Sequence, residues 1–413
     1  MALRKLSLGL CLALAACLSG CGGRAVGVLT PIAPQALAPG ASRVELMAAT
    51  TRKPSSDPGV LFSGERASRI SLTRIGVSVP PDAGRVAGEV QWPKRLPPDP
   101  TKEFATLEAT PVSRDEARVW FRRQAGGKRH VLLFVHGFNN TYEDAVYRFA
   151  QIVHDSRTDA VPALFTWPSR ASVFAYNYDR ESTNYSRDAL EEVLQSLADE
   201  PDVKDVSVLA HSMGSFLTME ALRQMAIRDG RIAPKIRNVI LAAPDVDVDV
   251  FKQQLGEMGK PNARPRFTVF VSRDDRALKV SSRIAGAVPR LGAIDPKAEP
   301  YRSEFEQARI DAFDLTDLKT ADPLAHGKFA QSPAVVQAIG GRLVAGQEIS
   351  ASELSLGERV GEAAAGVAAT AGSAAGAVVT APIAIVDPAS RRNYGERLRD
   401  LRGQAGGTLD TLR

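Results

Sequence analysis

The chain has 413 residues, with 52 basic against 47 acidic side chains and a formal charge of +5 spread along its length. That mild basicity is poor evidence for nucleic-acid binding, no module interleaving aromatic and basic residues supports it, and no nucleic-acid partner is expected. A hydrophobic fraction of 44% and a charged fraction of 24% are those of a globular protein, long enough for one large α/β domain with extensions or for two smaller domains.

Residues 1–20 read as a secretory signal, with Arg4 and Lys5 followed by an apolar run from Leu6 to Leu18. The run is short for a bilayer span. It ends in Leu18-Ser19-Gly20-Cys21, which resembles a bacterial lipobox, and the resemblance implies that Cys21 is lipidated and becomes the first mature residue. Leu14-Ala15-Ala16-Cys17 is a second match. Cys21 is favoured because cutting there leaves the longer apolar region and the flexible Gly22-Gly23 after the anchor. All three cysteines (Cys11, Cys17 and Cys21) lie here, so the folded body has neither disulfides nor thiolate metal sites. The residue after Cys21 is Gly22 rather than Asp, which by analogy with lipoprotein sorting implies an outer-membrane anchor facing the periplasm.

Residues 21–59 are rich in Pro, Ala, Gly and Ser and read as a flexible tether. Alternating apolar residues from Arg69 onward (Ile70, Leu72, Ile75, Val77, Val79) predict early strands, continuing after Pro80-Pro81 to Val86–Pro93. Ala117–Arg122 reads as a further strand. Val131–Val135 is a fully buried parallel strand, followed by a helix capped by Thr141 with Asp144 three residues on. Strand Ala163–Thr166 leads through Trp167-Pro168-Ser169 and a loop with Tyr176, Tyr178 and Asp179 into a helix striped by Leu190, Val193, Leu194 and Leu197. Strands at Val206–Ala210, Val239–Ala243 and Phe267–Val271 complete the alternation. The pattern is a doubly wound, mostly parallel sheet with helices on both faces, whose functional residues belong beyond the carboxyl ends of the strands.

Ser212 stands between a buried strand and a helix in Ala210-His211-Ser212-Met213-Gly214, a G-x-S-x-G-like elbow with Ala210 in the first glycine position. Small flanking residues let strand and helix approach closely and lift the hydroxyl above the sheet. A serine nucleophile needs a base and an orienting carboxylate. In the chain order Ser, acid, His, only His326 of the five histidines follows Ser212. Asp275 is favoured as the acid because it ends the last clear strand and can cap the helix beginning near Leu278. Asp274 and the earlier Asp245, Asp247 and Asp249 stay open. One oxyanion donor is the N–H of Met213.

The set His136-Gly137-Phe138-Asn139-Asn140, Phe165-Thr166-Trp167-Pro168-Ser169 and Ala210–Gly214 resembles the bacterial α/β-hydrolase family catalogued as a domain of unknown function, number nine hundred. Val77-Ser78-Val79-Pro80, Gly88-Glu89-Val90 and Ala243-Pro244-Asp245-Val246-Asp247 are similar to its pattern as well. Over roughly residues 60–330 the resemblance implies an α/β-hydrolase fold, a Ser212–Asp275–His326 triad and Phe138 as the second oxyanion donor. It supplies no substrate.

From Ala363 to Val386 no residue is charged, and Gly372 and Gly376 have small-xxx-small spacing. Ala and Gly are weakly hydrophobic and Pro382 interrupts the run, so it reads as a loosely packed extension. The expected organisation is signal 1–20, tether 21–59, hydrolase domain 60–345 and extension 346–413. The expected activity is serine hydrolysis of an ester-like acyl bond in a small or lipid-like substrate, with no metal or organic cofactor and a membrane anchor. Acyl transfer by the same residues and a non-catalytic envelope-binding protein are the alternatives. Trp167, Tyr176 and Tyr178 either line a cleft or pack the core.

Overall fold

The computed structural model describes residues 25–33, 37–126 and 130–343. Cys21, the signal segment and the Ala/Gly-rich tail lie outside the described residues. The strands are β1 (Ser42–Pro54), β2 (Phe62–Val79), β3 (Ala105–Val112), β4 (His130–Val135), β5 (Val161–Thr166), β6 (Asp205–His211), β7 (Ile236–Ala242), β8 (Arg266–Val271) and β9 (Ile310–Asp314). Among the described residues these nine form one sheet in the order β3-β2-β1-β5-β4-β6-β7-β8-β9. β2 runs antiparallel to both of its neighbours, and every other pairing is parallel.

Helices cover both faces, as the continuous apolar strands require. They are α1 (Arg114–Gln124), α2 (Tyr142–Ser156), α3 (Tyr176–Asp199), α4 (Met213–Asp229), α5 (Val248–Glu257), α6 (Arg276–Ile284), α7 (Tyr301–Ala308), α8 (Lys328–Gln331) and α9 (Pro333–Ala338). β4 shows how one strand feeds two layers. Val131, Leu133 and Val135 pack with Trp120 and Phe121 of α1, Leu194 of α3 and Leu217 of α4, while Leu132 and Phe134 pack with Val146, Phe149 and Ile152 of α2. Each such fully buried aliphatic or aromatic side chain contributes roughly 1.5–3 kcal/mol.

The early chain departs from expectation. Residues 42–54, read as tether, form β1, which pairs with β2 on one side and β5 on the other. Val44, Leu46 and Ala48 are buried on one face of β1 and Met47 and Ala49 on the other, so burial rather than composition decides the element. Val28 and Leu29 are buried too, and the folded body therefore begins before residue 30. Ala117–Arg122 is helical because Ser113 and Glu116 form a capping box, and Ala117, Trp120 and Phe121 fall on one helical face. Val86–Pro93 is irregular, Tyr176 and Asp179 open α3 instead of a loop, and β9 adds an edge strand.

A chain started at residue 60 loses β1 from the middle of the sheet. Calorimetry is expected to show no cooperative melting transition for it, whereas a chain started at residue 25 melts in one transition.

Candidate active site

β6 ends at His211 and α4 begins at Met213, so Ser212 alone makes the turn, with φ 53° and ψ −122°. A non-glycine residue in such a region costs about 1–3 kcal/mol and persists only where its surroundings fix it. Here the Ser212 N–H donates to Ala242 O at 2.9 Å and its carbonyl accepts from the Asp245 N–H at 3.1 Å. A Cβ on Gly214 would lie 2.2 Å from the carbonyl oxygen of His136, so the helix start sits directly against the loop after β4. Gly137 is confined too, though less tightly, because a Cβ there would come within 2.9 Å of Ser212 Cβ.

Asp275 is fully buried and grips two partners. Its Oδ1 accepts the Leu278 N–H at 2.9 Å and caps α6, while its Oδ2 accepts from Nδ1 of His326 at 2.6 Å. With Nδ1 carrying the proton, Nε2 is left as the acceptor. The His326 loop is held from behind: Asp322 Oδ2 accepts the N–H groups of His326 (2.8 Å) and Gly327 (3.0 Å), and the Arg276 N–H reaches Leu324 O at 2.9 Å. Burial pulls the His326 pKa down, but the charge and hydrogen bond of Asp275 outweigh it and hold the pKa above 6.5. The His326 ring lies 4.7 Å from that of His211, the neighbour of Ser212. Among the described residues the Ser212 hydroxyl makes no hydrogen bond to the His326 ring, a contact that is often long without substrate.

The remaining aspartates have other partners. Asp274 accepts Lys328 Nζ at 2.8 and 2.9 Å and Ser272 Oγ at 2.5 Å. Asp247 caps α5 through the N–H groups of Asp249 and Val250. Asp245 accepts from Ser281 Oγ at 2.5 Å and from the Tyr176 hydroxyl at 3.2 Å, with Arg290 Nε 3.2 Å away.

The loop after β4 carries Phe138, whose N–H, like that of Met213, has no acceptor among the described residues. His136 anchors this loop. Its Nδ1–H donates to Gly137 O at 2.8 Å, its Nε2 accepts the Trp167 N–H at 3.1 Å, and the Trp167 indole N–H donates to His136 O at 2.8 Å. The two rings stack with centroids 4.9 Å apart. Burial, reinforced by the neighbouring Arg52 cation, pushes the His136 pKa down to about 3, so the ring is a neutral strut.

Sequence reasoning missed Arg52 and named Ser169 and Asp179 without giving them a role, and all three surround this loop. Buried Arg52 of β1 donates to Ser169 O (2.9 Å), Asn140 O (2.8 Å) and Ser63 O (3.3 Å) and approaches His136 Nε2 at 3.4 Å. Asp179 accepts the Ser169 hydroxyl at 2.5 Å and the Arg170 N–H at 3.0 Å, and burial raises its pKa to about 6. The alternation Val44, Leu46, Ala48 was the available signal for β1. Nothing in the sequence pointed to the pairing of Arg52 with the distant loop.

An apolar cavity lined by Met47, Ile70, Leu72, Phe121 and Val193 lies between α1, α3 and the sheet and shares no residue with the Ser212 cluster. Among the described residues no three His, Cys, Asp or Glu side chains gather as a metal-binding group.

Fold and site together define an α/β hydrolase. The family model described as "Alpha/beta hydrolase of unknown function (DUF900)" matches residues 113–342, and the chain belongs to that family. It is 26% identical over 210 residues to the uncharacterized protein alr1448 of Nostoc sp., an alignment covering 37% of this chain and 54% of that protein. The chain thus spans about half the length of this curated relative. An esterase of Pyrobaculum calidifontis is similar at 12% identity and a TM-score of 0.31, over 56% of this chain and 90% of that one. A lipase-esterase related protein of Clostridium acetobutylicum is similar at 12% identity and a TM-score of 0.29, over 51% and 93%.

Replacing Arg52 by Met removes a buried cation from three carbonyls and leaves Asp179 without its compensating charge. Urea denaturation at pH 7 is expected to show a loss of roughly 3–5 kcal/mol.

Proposed function

We propose that the protein is a serine hydrolase of the carboxylesterase or lipase type. The carrying observation is the 2.6 Å bond from His326 Nδ1 to buried Asp275, which leaves Nε2 as the proton acceptor on a ring beside the Ser212 elbow. Ser212 Oγ attacks the acyl carbon while His326 Nε2 takes its proton. The carbonyl oxygen becomes an oxyanion held by the N–H groups of Phe138 and Met213. Collapse breaks the bond to the alcohol oxygen, which leaves with the proton from His326. Water then adds to the acyl-enzyme, giving its proton to His326, and collapse releases the acid and restores the Ser212 hydroxyl. Asp275 keeps the ring in its Nδ1–H tautomer and stabilises the imidazolium formed in each half-reaction.

We further propose that Cys21 carries a lipid that holds the body at the outer membrane, facing the periplasm. The Ala25 N–H donates to Pro93 O at 2.7 Å, so the folded body starts a few residues beyond that anchor and would sit close to the lipid surface. Cys21→Ala should move the protein from the membrane fraction to the soluble one. Release by Cys17→Ala instead would transfer the assignment to Cys17.

A fluorophosphonate probe is expected to label the wild type and neither Ser212→Ala nor His326→Ala, with ester kcat/KM falling at least ~10³-fold in each variant. The base must be neutral to accept a proton and its pKa is held above 6.5. Activity should therefore rise with pH through a midpoint above 6.5, and Asp275→Asn should lower both the rate and that midpoint. A folded wild type that takes no probe would sink the hydrolase mechanism.

A further inference from the structure

The wall beside Ser212 carries a cation that hydrolysis itself does not use. Arg180 lies on α3 one turn beyond Tyr176, with its guanidinium carbon 3.3 Å from the centroid of the Phe216 ring. Phe216 is one turn into the helix that Ser212 opens, about 6 Å along its axis. Tyr176 ties the same wall to the reacting centre. Its ring meets that of Phe138 edge-on at 5.4 Å, and its hydroxyl donates to Asp245, whose own N–H reaches Ser212 O.

The Arg180 guanidinium is left over in this wall. Its Nη1 is buried without a hydrogen-bond partner, and no ion pair or hydrogen bond from the guanidinium forms among the described residues. The neighbouring carboxylate, Asp245, is already engaged by Ser281, Tyr176 and Arg290. Glu220, the other acid near Arg180, accepts from Gln254 Nε2 at 2.6 Å and faces Arg223 at 3.9 Å. Other buried arginines (Arg52, Arg85 and Arg290) leave only Nε without a hydrogen-bond partner, and their Nη groups reach acceptors. Arg52 has three carbonyl acceptors, and Arg148 donates to Gly88 O and Gln151 Oε1. Stacking on Phe216 fixes the plane of the Arg180 fork and leaves its edge for an acceptor from outside the protein. A planar fork of N–H donors in a partly dehydrated wall matches a carboxylate or a phosphate, which accept two parallel hydrogen bonds.

We infer that the substrate of the Ser212 site carries an anionic oxygen group, carboxylate or phosphate, which Arg180 binds while the ester carbonyl faces Ser212. This rests on Ser212 being the nucleophile. The charge excess selects among esters: a neutral ester leaves the buried N–H groups without an acceptor, whereas an anionic one supplies both the acceptor and the compensating charge.

The experiment compares a 4-nitrophenyl ester of glutaric acid, which carries a free carboxylate, with the neutral pentanoate ester. Wild type, Arg180→Gln and Arg180→Lys are assayed beside thermal melts that confirm folding. The expected result is a wild-type preference for the anionic ester, reduced roughly 10- to 100-fold in Arg180→Gln and partly kept in Arg180→Lys. An unchanged preference in folded Arg180→Gln, or none in the wild type, overturns the inference. Calorimetric titration of Ser212→Ala with glutarate and with inorganic phosphate gives a readout that needs no turnover and tells the two anion sources apart. If the wild type takes no fluorophosphonate and cleaves neither ester, the hydrolase reading falls by itself. The anion site is then upheld by glutarate or phosphate binding that disappears in Arg180→Gln, and is overturned if neither anion binds.

Discussion

The constraint on which this molecule turns is a backbone contact too close for any side chain. At Gly214 the first turn of α4 lies against the carbonyl of His136, and a Cβ there would stand 2.2 Å from that oxygen. Two segments far apart in sequence, the loop after β4 and the elbow after β6, are thereby brought into one unit. The contact is possible because β4 and β6 are adjacent parallel strands in register from His130 with Asp205 to Val135 with Ala210, so their carboxyl ends emerge side by side. The left-handed turn at Ser212 then aims the start of α4 at the same point as the loop. Strand pairing, helix placement and the arrangement of Phe138 and Met213 are consequences of one geometry rather than three separate features.

That unit is supported by charges from across the sheet. Arg52 comes from β1, two strands away from β4 in the sheet order, and reaches carbonyls of both the β4 loop and the β5 loop. Burying a cation is unfavourable, and burial lowers the Arg52 pKa to about 10. The cation remains charged because it has carbonyl acceptors and the field of Asp179, which in turn holds Ser169 and Arg170. Such a network contributes less to net stability than an apolar core of the same size, but it is specific: losing any one member leaves a buried group unsatisfied. Rigid placement of the loop is what the proposed oxyanion role of Phe138 requires, since the effect of such a donor depends on pre-set geometry.

How much of this could be read from the chain alone depended on the range of each interaction. Local patterns were legible: the buried run Val131–Val135, the Thr141–Asp144 capping box, and the small residues around Ser212 all correspond to the elements observed. The central alternation of strands and helices gave the sheet its class. β1 was lost because Pro, Gly and Ser on either side of it masked a strand whose partners, β2 and β5, are set by tertiary pairing. At Ala117–Arg122 the apolar residues suggested a strand, although Ser113-Arg114-Asp115-Glu116 spelled a helix start that outweighs β-propensity. The role of Arg52 was illegible for a different reason, because its acceptors in Asn140 and Ser169 lie 88 and 117 residues further along the chain, and Asp179, read only as a loop residue, gained its role from burial at the start of α3.

The Asp274–Asp275 doublet shows how neighbouring identical side chains take different work. Asp275 is the N-cap of α6, so its position is fixed by the Leu278 N–H, and its second oxygen points to His326. Asp274, one residue earlier, faces outward and pairs with Lys328, two residues after His326. Lys328 also donates to the carbonyls of Leu315 and Thr316 beyond β9, so its ammonium ties three segments together. The two carboxylates hold the same loop at two points, one at the imidazole and one just past it. The pairing anchors the histidine loop, which has little regular structure of its own, on both sides of its ring. It also explains why sequence position alone left the acid's register open: the distinction between the two lies in what each carboxylate meets across the fold.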